Sequence, residues 1–188
     1  MRRAVFVLTV SVLSMGSVPP ASAQTATPPT SATDVTRNEF MTVLKSMNPD
    51  GVSDQQIEVV DIGAYNVAIG ILHRSGKAKQ TAIAHNEITE IYYILNGAGT
   101  FVTGGTMTGA TAVAAESTVV KVLVGPSSTG ATIAGGESRR IGPGDVIIVP
   151  PGVAHWFSAI GTDLDYLVFR VDSGHVLPAG YVHPLLKK

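Results

Sequence analysis

The chain has 188 residues, 45% of them hydrophobic and 14% charged, with 20 glycines, 11 prolines and no cysteine. That length fits one domain with a core of its own. Thirteen Lys+Arg against 14 Asp+Glu leave a net charge of −1, which argues against nucleic acid as a partner, because neutralising phosphates needs a clustered basic excess. Absent cysteine excludes a disulfide scaffold, a thiolate zinc site and a Cys nucleophile.

The first segment reads as a targeting signal. Met1-Arg2-Arg3 opens it, an apolar run follows from Ala4 to about Met15, and Pro20-Ala21-Ser22-Ala23 closes it with small residues at the cleavage positions. This predicts a signal peptide over 1–23, cleaved after Ala23, and a secreted or periplasmic protein. The apolar run falls short of the roughly 20 residues needed to cross a bilayer, so no membrane association is expected after cleavage. Removing Arg2 and Arg3 would take the charge from −1 to −3.

Residues 24–35 are small, polar and Pro-bearing and read as a flexible lead. Thr36-Arg37-Asn38-Glu39 has capping-box spacing, and Phe40, Val43, Leu44 and Met47 then recur at helical intervals. Asn48-Pro49-Asp50-Gly51 stops this helix, so 36–56 is taken as helix and connector. The period then changes to that of strands. They are expected at Ile57–Ile62, Tyr65–His73, Lys79–His85, Glu90–Leu95, Thr100–Thr103, Val119–Val124, Val146–Val149, His155–Ile160 and Leu164–Val171. Residues 104–140 form a long Gly/Ala/Thr-rich excursion that reads either as a lid or rim shaping a pocket or, as its composition suits better, as a floppy cover on a sheet edge. Many short strands and one helix predict an all-β barrel or sandwich over 57–171, followed by a tail at 172–188.

Two segments carry chemistry: His85-Asn86-Glu87-Ile88-Thr89-Glu90-Ile91-Tyr92-Tyr93-Ile94-Leu95-Asn96-Gly97, and Gly144-Asp145-Val146-Ile147-Ile148-Val149-Pro150-Pro151-Gly152-Val153-Ala154-His155-Trp156-Phe157. The pair resembles the motifs of the cupin superfamily, G-x5-H-x-H-x(3,4)-E-x6-G and G-x5-P-x-G-x2-H-x3-N, in the manner of small single-domain bacterial cupins of the type-2 kind. His85, Glu90 and Gly97 match the second half of the first motif, and Gly144, Pro150, Gly152 and His155 match the second. The resemblance covers about residues 57–171. It implies a jelly-roll-like cupin barrel whose motif His and Glu side chains converge on one metal, here His85, Glu90 and His155. Nitrogen and oxygen donors suit a divalent transition metal, with Fe or Mn favoured and Ni, Cu or Zn possible. Three protein ligands would leave coordination positions open, as a catalytic metal requires.

The sequence departs from that pattern at Ile83, where the family carries its first histidine, and at Ala159, where it carries the closing Asn. Glu87, of the same strand parity as His85, is the alternative ligand. Tyr92 shares parity with Glu90 and faces inward, as a candidate to hydrogen-bond a substrate catalytically or as satisfied core. Ile83 and Phe157 are expected to line the pocket, and Trp156 to point away from it. His73 is expected to be satisfied or solvated. Arg170 is either a substrate-carboxylate anchor or a structural partner of Asp165 or Asp172, with the structural role preferred. His175 and His183 are placed on the surface. The resulting expectation is an exported metal-binding cupin enzyme, oxygenase- or oxidoreductase-like, acting on a small organic molecule. The alternatives are a non-catalytic cupin that binds a sugar or acid, and a metal-free isomerase with His85 as base and Tyr92 as acid. A homodimer is the expected partner arrangement.

Overall fold

A computed structural model describes residues 29–187; the signal-peptide reading of 1–23 and the first residues of the lead lie outside them. Helix α1 (Arg37–Lys45) begins as its sequence dictates. Thr36 Oγ1 accepts from the Glu39 amide at 3.3 Å, and the Glu39 carboxylate accepts from the Thr36 amide at 2.7 Å, so both halves of the capping box form. Val35 and Phe40 flank this cap and pack with Val43, Leu44 and Met47 onto Ile57, Ile69 and Ile71. The helix thereby covers the outer face of two strands.

Those strands are β1 (Val52–Asp61) and β2 (Asn66–Ser75), followed by β3 (Ala82–His85), β4 (Ile88–Thr103), β5 (Thr106–Met107), β6 (Thr111–Ala112), β7 (Ser127–Gly130), β8 (Ile133–Ala134), β9 (Glu137–Ile141), β10 (Val146–Val149) and β11 (His155–Asp172). All pairings are antiparallel. The spine is β11, which pairs with β4 along nearly its whole length, with β2 over 163–172 and with β3 at His155↔Ile83. On the far side β4 carries β9 and β10. Inward residues of alternating parity, among them Leu72, Tyr92, Ile94, Phe101, Phe157, Leu164 and Tyr166, fill the centre. A second cluster, on Ala82, Ala84, Val102, Ile133 and Ala154, lies against Trp156.

The strand pairs expected at 90–95 with 100–103, and at 155–160 with 164–171, prove to be continuous strands that bend. Gly97 marks one bend: its φ is +80°, and a Cβ there would stand 1.8 Å from the Asp163 carbonyl oxygen, so only glycine fits. Strand β1 starts at Val52 and not at Ile57, because polar Asp54 and Gln56 are turned inward to a buried arginine. Strand β3 starts at Ala82 and not at Lys79, because the Gln80 amide donates to the Ser75 and Ala78 carbonyls and holds the chain in a turn.

Residues 119–124 are no strand. Val119–Val124 winds as a single wide π-helical turn, and the rest of the excursion is tied down by short strands, with β7 pairing to β3. The surface placement of His183 is also overturned. It is buried, its Nδ1 accepts from the Leu185 amide at 3.2 Å, and Val182 bridges to Glu58 on β1. His175 is exposed, as expected.

Candidate metal centre

His85 ends β3, Glu90 lies near the start of β4 and His155 opens β11, so three different strands deliver the side chains. The end of β3 is locked to the turn that precedes β11 by a 2.6 Å hydrogen bond from the Gly152 amide to the His85 carbonyl. The protein fixes the ring orientation of both histidines. Ser127 Oγ donates to the Gly125 carbonyl at 2.9 Å, so toward His85 Nδ1, also 2.9 Å away, it acts as acceptor. His155 Nδ1 lies 3.0 Å from the Val153 carbonyl, which can only accept. Both rings therefore hold a proton on Nδ1 and turn Nε2 inward.

What those Nε2 atoms face is a carboxylate. Glu90 Oε2 is 3.2 Å from His85 Nε2 and 3.5 Å from His155 Nε2, and one ligand atom from each residue lies within 4.8 Å of the others. His155 Nε2 is buried without any hydrogen-bond partner. A neutral His155 directs its lone pair at an anionic oxygen, and the two repel unless a cation sits between them. The donor set and its orphaned nitrogen fit a divalent ion of the N/O-binding type.

The protonation states agree. Burial, reinforced by the neighbouring His85, pulls the His155 imidazolium down to about 4. Burial alone would push Glu90 up, but His85, Arg170 and His155 outweigh it and hold the carboxyl well below the usual range. A neutral imidazole and an ionised carboxylate are the forms a metal requires.

Glu90 is steered by Arg170, which is fully buried. Arg170 Nε donates to Glu90 Oε1 at 3.0 Å, leaving Oε2 for the histidines, while its two Nη groups donate to Gln56 Oε1 at 2.6 Å and Asp54 Oδ2 at 2.5 Å. The partners expected for Arg170 are thus wrong. Asp165 instead pairs with His73 at 2.7 Å, and Asp172 accepts from Asn66 and from the 176 and 177 amides. Gly70 makes room for this arginine: a Cβ there would come within 3.0 Å of an Arg170 nitrogen. Tyr92 Oη donates to Glu90 Oε2 at 2.5 Å. Burial, together with the Glu90 charge, raises its phenol well above the ordinary value, so it keeps its proton.

These groups open onto a cavity of about 440 Å³ that Ile83, Leu72 and Arg74 also line, with Thr118, Val119, Leu123 and Val124 of the wide turn closing one wall. Of the two readings of the excursion, the structure matches the one that shapes the pocket. Two expected site residues are elsewhere. Glu87 is exposed and directed at Gly174, because the chain turns at Asn86–Glu87 between β3 and β4 and the parity with His85 breaks there. Phe157 does face inward, yet it lies in the core, stacked on Tyr92 with centroids 6.5 Å apart, and does not line the cavity. His73 is satisfied by Asp165 and by the Pro49 carbonyl, and Trp156 donates outward to the Gln80 carbonyl.

Sequence reasoning missed four residues. Asp54 and Gln56 were read as connector. Ser127 carried no signal. Arg74 lies one residue past the strand expected over Tyr65–His73, although its parity with Leu72 could have placed it inside.

A small antiparallel barrel holding a buried His–Glu–His group in its interior cavity defines the class of protein. The chain belongs to the cupin family, whose profile, described as Cupin, matches residues 81–179, more than half of its length. No curated protein matches the chain significantly in sequence. Solved structures similar to it include the DMSP lyase DddQ from Ruegeria pomeroyi, at 17% identity over 73% of this chain and 54% of that one, with a TM-score of 0.42. A recombinant oxalate oxidase in complex with glycolate matches at 17% identity over 68% and 54%, with a TM-score of 0.42. A Bacillus halodurans protein matches at 13% identity over 84% and 92%, with a TM-score of 0.46. The chain spans about half the length of the lyase and oxidase chains.

Proposed function

We propose that the protein is a metal-dependent enzyme acting on a small organic molecule, with oxygenase- or oxidoreductase-type chemistry. The observation that carries this reading is the pair of Nδ1-protonated imidazoles whose buried Nε2 atoms face the Glu90 carboxylate. His85, Glu90 and His155 would hold one divalent ion, Fe or Mn by preference for the mixed nitrogen and oxygen set, with Ni, Cu and Zn also accommodated. Such an ion supplies Lewis acidity and, for Fe or Mn, a redox couple. The remaining work falls to the chain. Arg170 and Tyr92 orient the carboxylate, Ser127 and the Val153 carbonyl fix the imidazoles, and the barrel excludes bulk water from beneath.

Metal analysis of the full chain tests this, after purification and after reconstitution with each of the five metals, beside a His155→Ala variant. One ion per chain, lost in the variant, is expected. No stoichiometric metal under any loading overturns the reading. A second reading, non-catalytic capture of a small molecule, is favoured by Ile83, an aliphatic side chain facing the same cavity; it predicts ligand binding untouched by His155→Ala.

Export to the periplasm, through cleavage after Ala23, is proposed on the sequence of residues 1–23. A homodimer is proposed through β10, which pairs only with β4 among the described residues and exposes Val146 and Ile148 beside Tyr93.

A further inference from the structure

Arg74 stands on the inner face of β2, two residues beyond core residue Leu72, and lines the same cavity as His85, Glu90 and His155. Its guanidinium is built into place. Nε donates to Tyr166 Oη at 2.8 Å and Nη1 to Gln80 Oε1 at 3.1 Å, while Cζ lies 4.7 Å from the centre of the Phe157 ring. Every one of these partners is neutral. Burial, partly offset by Arg74 itself, pushes the Tyr166 phenol up to about 12, so it stays uncharged beside the guanidinium. Among the described residues no carboxylate lies within ion-pair distance of Arg74, and its Nη2 group has no protein acceptor.

The charges around the cavity show why this matters. Asp54 and Glu90 are both engaged by Arg170. Arg74 balances the second of their charges only at a distance, and a divalent cation among the histidines would leave the cavity with an excess of about two positive charges. A guanidinium held by stacking and by neutral hydrogen bonds, with an amino group free toward a cavity, is a planar fork suited to a carboxylate. A phosphate would call for more donors than one arginine provides. The apolar residues that share the cavity, Leu72, Ile83, Leu123 and Val124, suit a short carbon skeleton.

We propose that Arg74 anchors a carboxylate of the substrate, so that the cavity takes a small organic acid as its anion. The inference rests on reading this cavity as the substrate site of a metal-dependent enzyme, but its test needs no metal. The full chain, stripped with a chelator, is titrated calorimetrically with malonate and benzoate and with their uncharged counterparts malonamide and benzamide. At least one acid is expected to bind about tenfold or more tighter than its amide, and Arg74→Met, which keeps an aliphatic stem over Phe157, should remove that preference. Arg74→Lys should retain part of it. Phenylglyoxal labelling of the wild type, read by peptide mass spectrometry, gives the site without any substitution: the bound acid should protect Arg74. Amides binding as well as acids, no binding by either acid, or protection confined to other arginines would each overturn the proposal. Acid binding in a protein that takes up no metal would sink the metal reading and leave the anchor standing; metal uptake without acid preference would do the reverse.

Discussion

Replacing Arg170 by Met removes one cation that three acceptors share, Glu90 and Gln56 buried and Asp54 half-buried. The guanidinium donates to Glu90 at 3.0 Å, Gln56 at 2.6 Å and Asp54 at 2.5 Å, and is itself fully buried. Met preserves most of the side-chain volume, so the cavity penalty is small and the loss is electrostatic. Stripping the shared partner from the buried Glu90 and the half-buried Asp54 costs about 3–5 kcal/mol, which for a domain of this size lowers the melting temperature by roughly 6–20 °C. The deficit should depend on pH. Burial already raises the folded-state pKa of Asp54 with Arg170 in place; without the guanidinium it rises further, so Asp54 destabilises the variant when ionised and ceases to do so once protonated. The gap between variant and wild type should therefore widen from pH 5 to pH 7. Urea unfolding of the metal-free proteins reads this out through the fluorescence of Trp156, the single tryptophan. Arg170→Lys should fall between, since an ammonium cannot span all three acceptors. A deficit below about 1 kcal/mol, or one unchanged between pH 5 and pH 7, would refute the role assigned to this arginine.

Ile83→His places an imidazole in register with His155 at the cavity wall and should tighten metal binding by about tenfold or more; equal affinity in a chelator competition would count against the ligand set. His73 donates to two acceptors, Asp165 and the Pro49 carbonyl; burial would lower its pKa, but these partners raise it above the ordinary 6.5. Its contribution is thus complete below pH 6.5 and fades as pH rises through the folded value. The stability difference between wild type and His73→Gln should shrink between pH 6 and pH 8.5, and a constant difference would disprove it. Gly97→Ala forces both a positive φ and a collision with the Asp163 carbonyl; a loss of at least about 2 kcal/mol is expected, and a neutral substitution in urea melts would contradict the bend geometry.

The parts of this protein written as local rules were legible. The capping box at Thr36 and the stripe from Phe40 to Met47 specify their helix without outside help, and the step from Glu90 to Gly97 places a ligand one bend away from a required glycine. Other features depend on what lies across the sheet. Val119–Val124 has strand-like composition, but a short apolar run is equally compatible with a helical turn, and here it caps a cavity. Asp54 and Gln56 break the hydrophobic alternation because they serve Arg170, more than a hundred residues away in sequence. Glu87 was misplaced because parity counts only within one unbroken strand. Arg74 sits at a strand end beside a glycine turn, where the chain pattern cannot say whether an arginine faces water or the interior.

The bond between Ser127 and His85 has a bearing on how such barrels tolerate change. Ser127 belongs to the long excursion between the two ligand-bearing motifs, a stretch whose Gly- and Thr-rich composition invites truncation. Yet its hydroxyl decides which nitrogen of His85 turns inward. Shortening the chain ahead of Gly125 alters a wall of the cavity; a cut that takes Ser127 as well frees the ring to rotate and to present a proton where a lone pair is needed. The excursion therefore has an internal boundary, between a stretch before Gly125 that walls the cavity and a segment from Gly125 to Ser127 that holds the His85 ring.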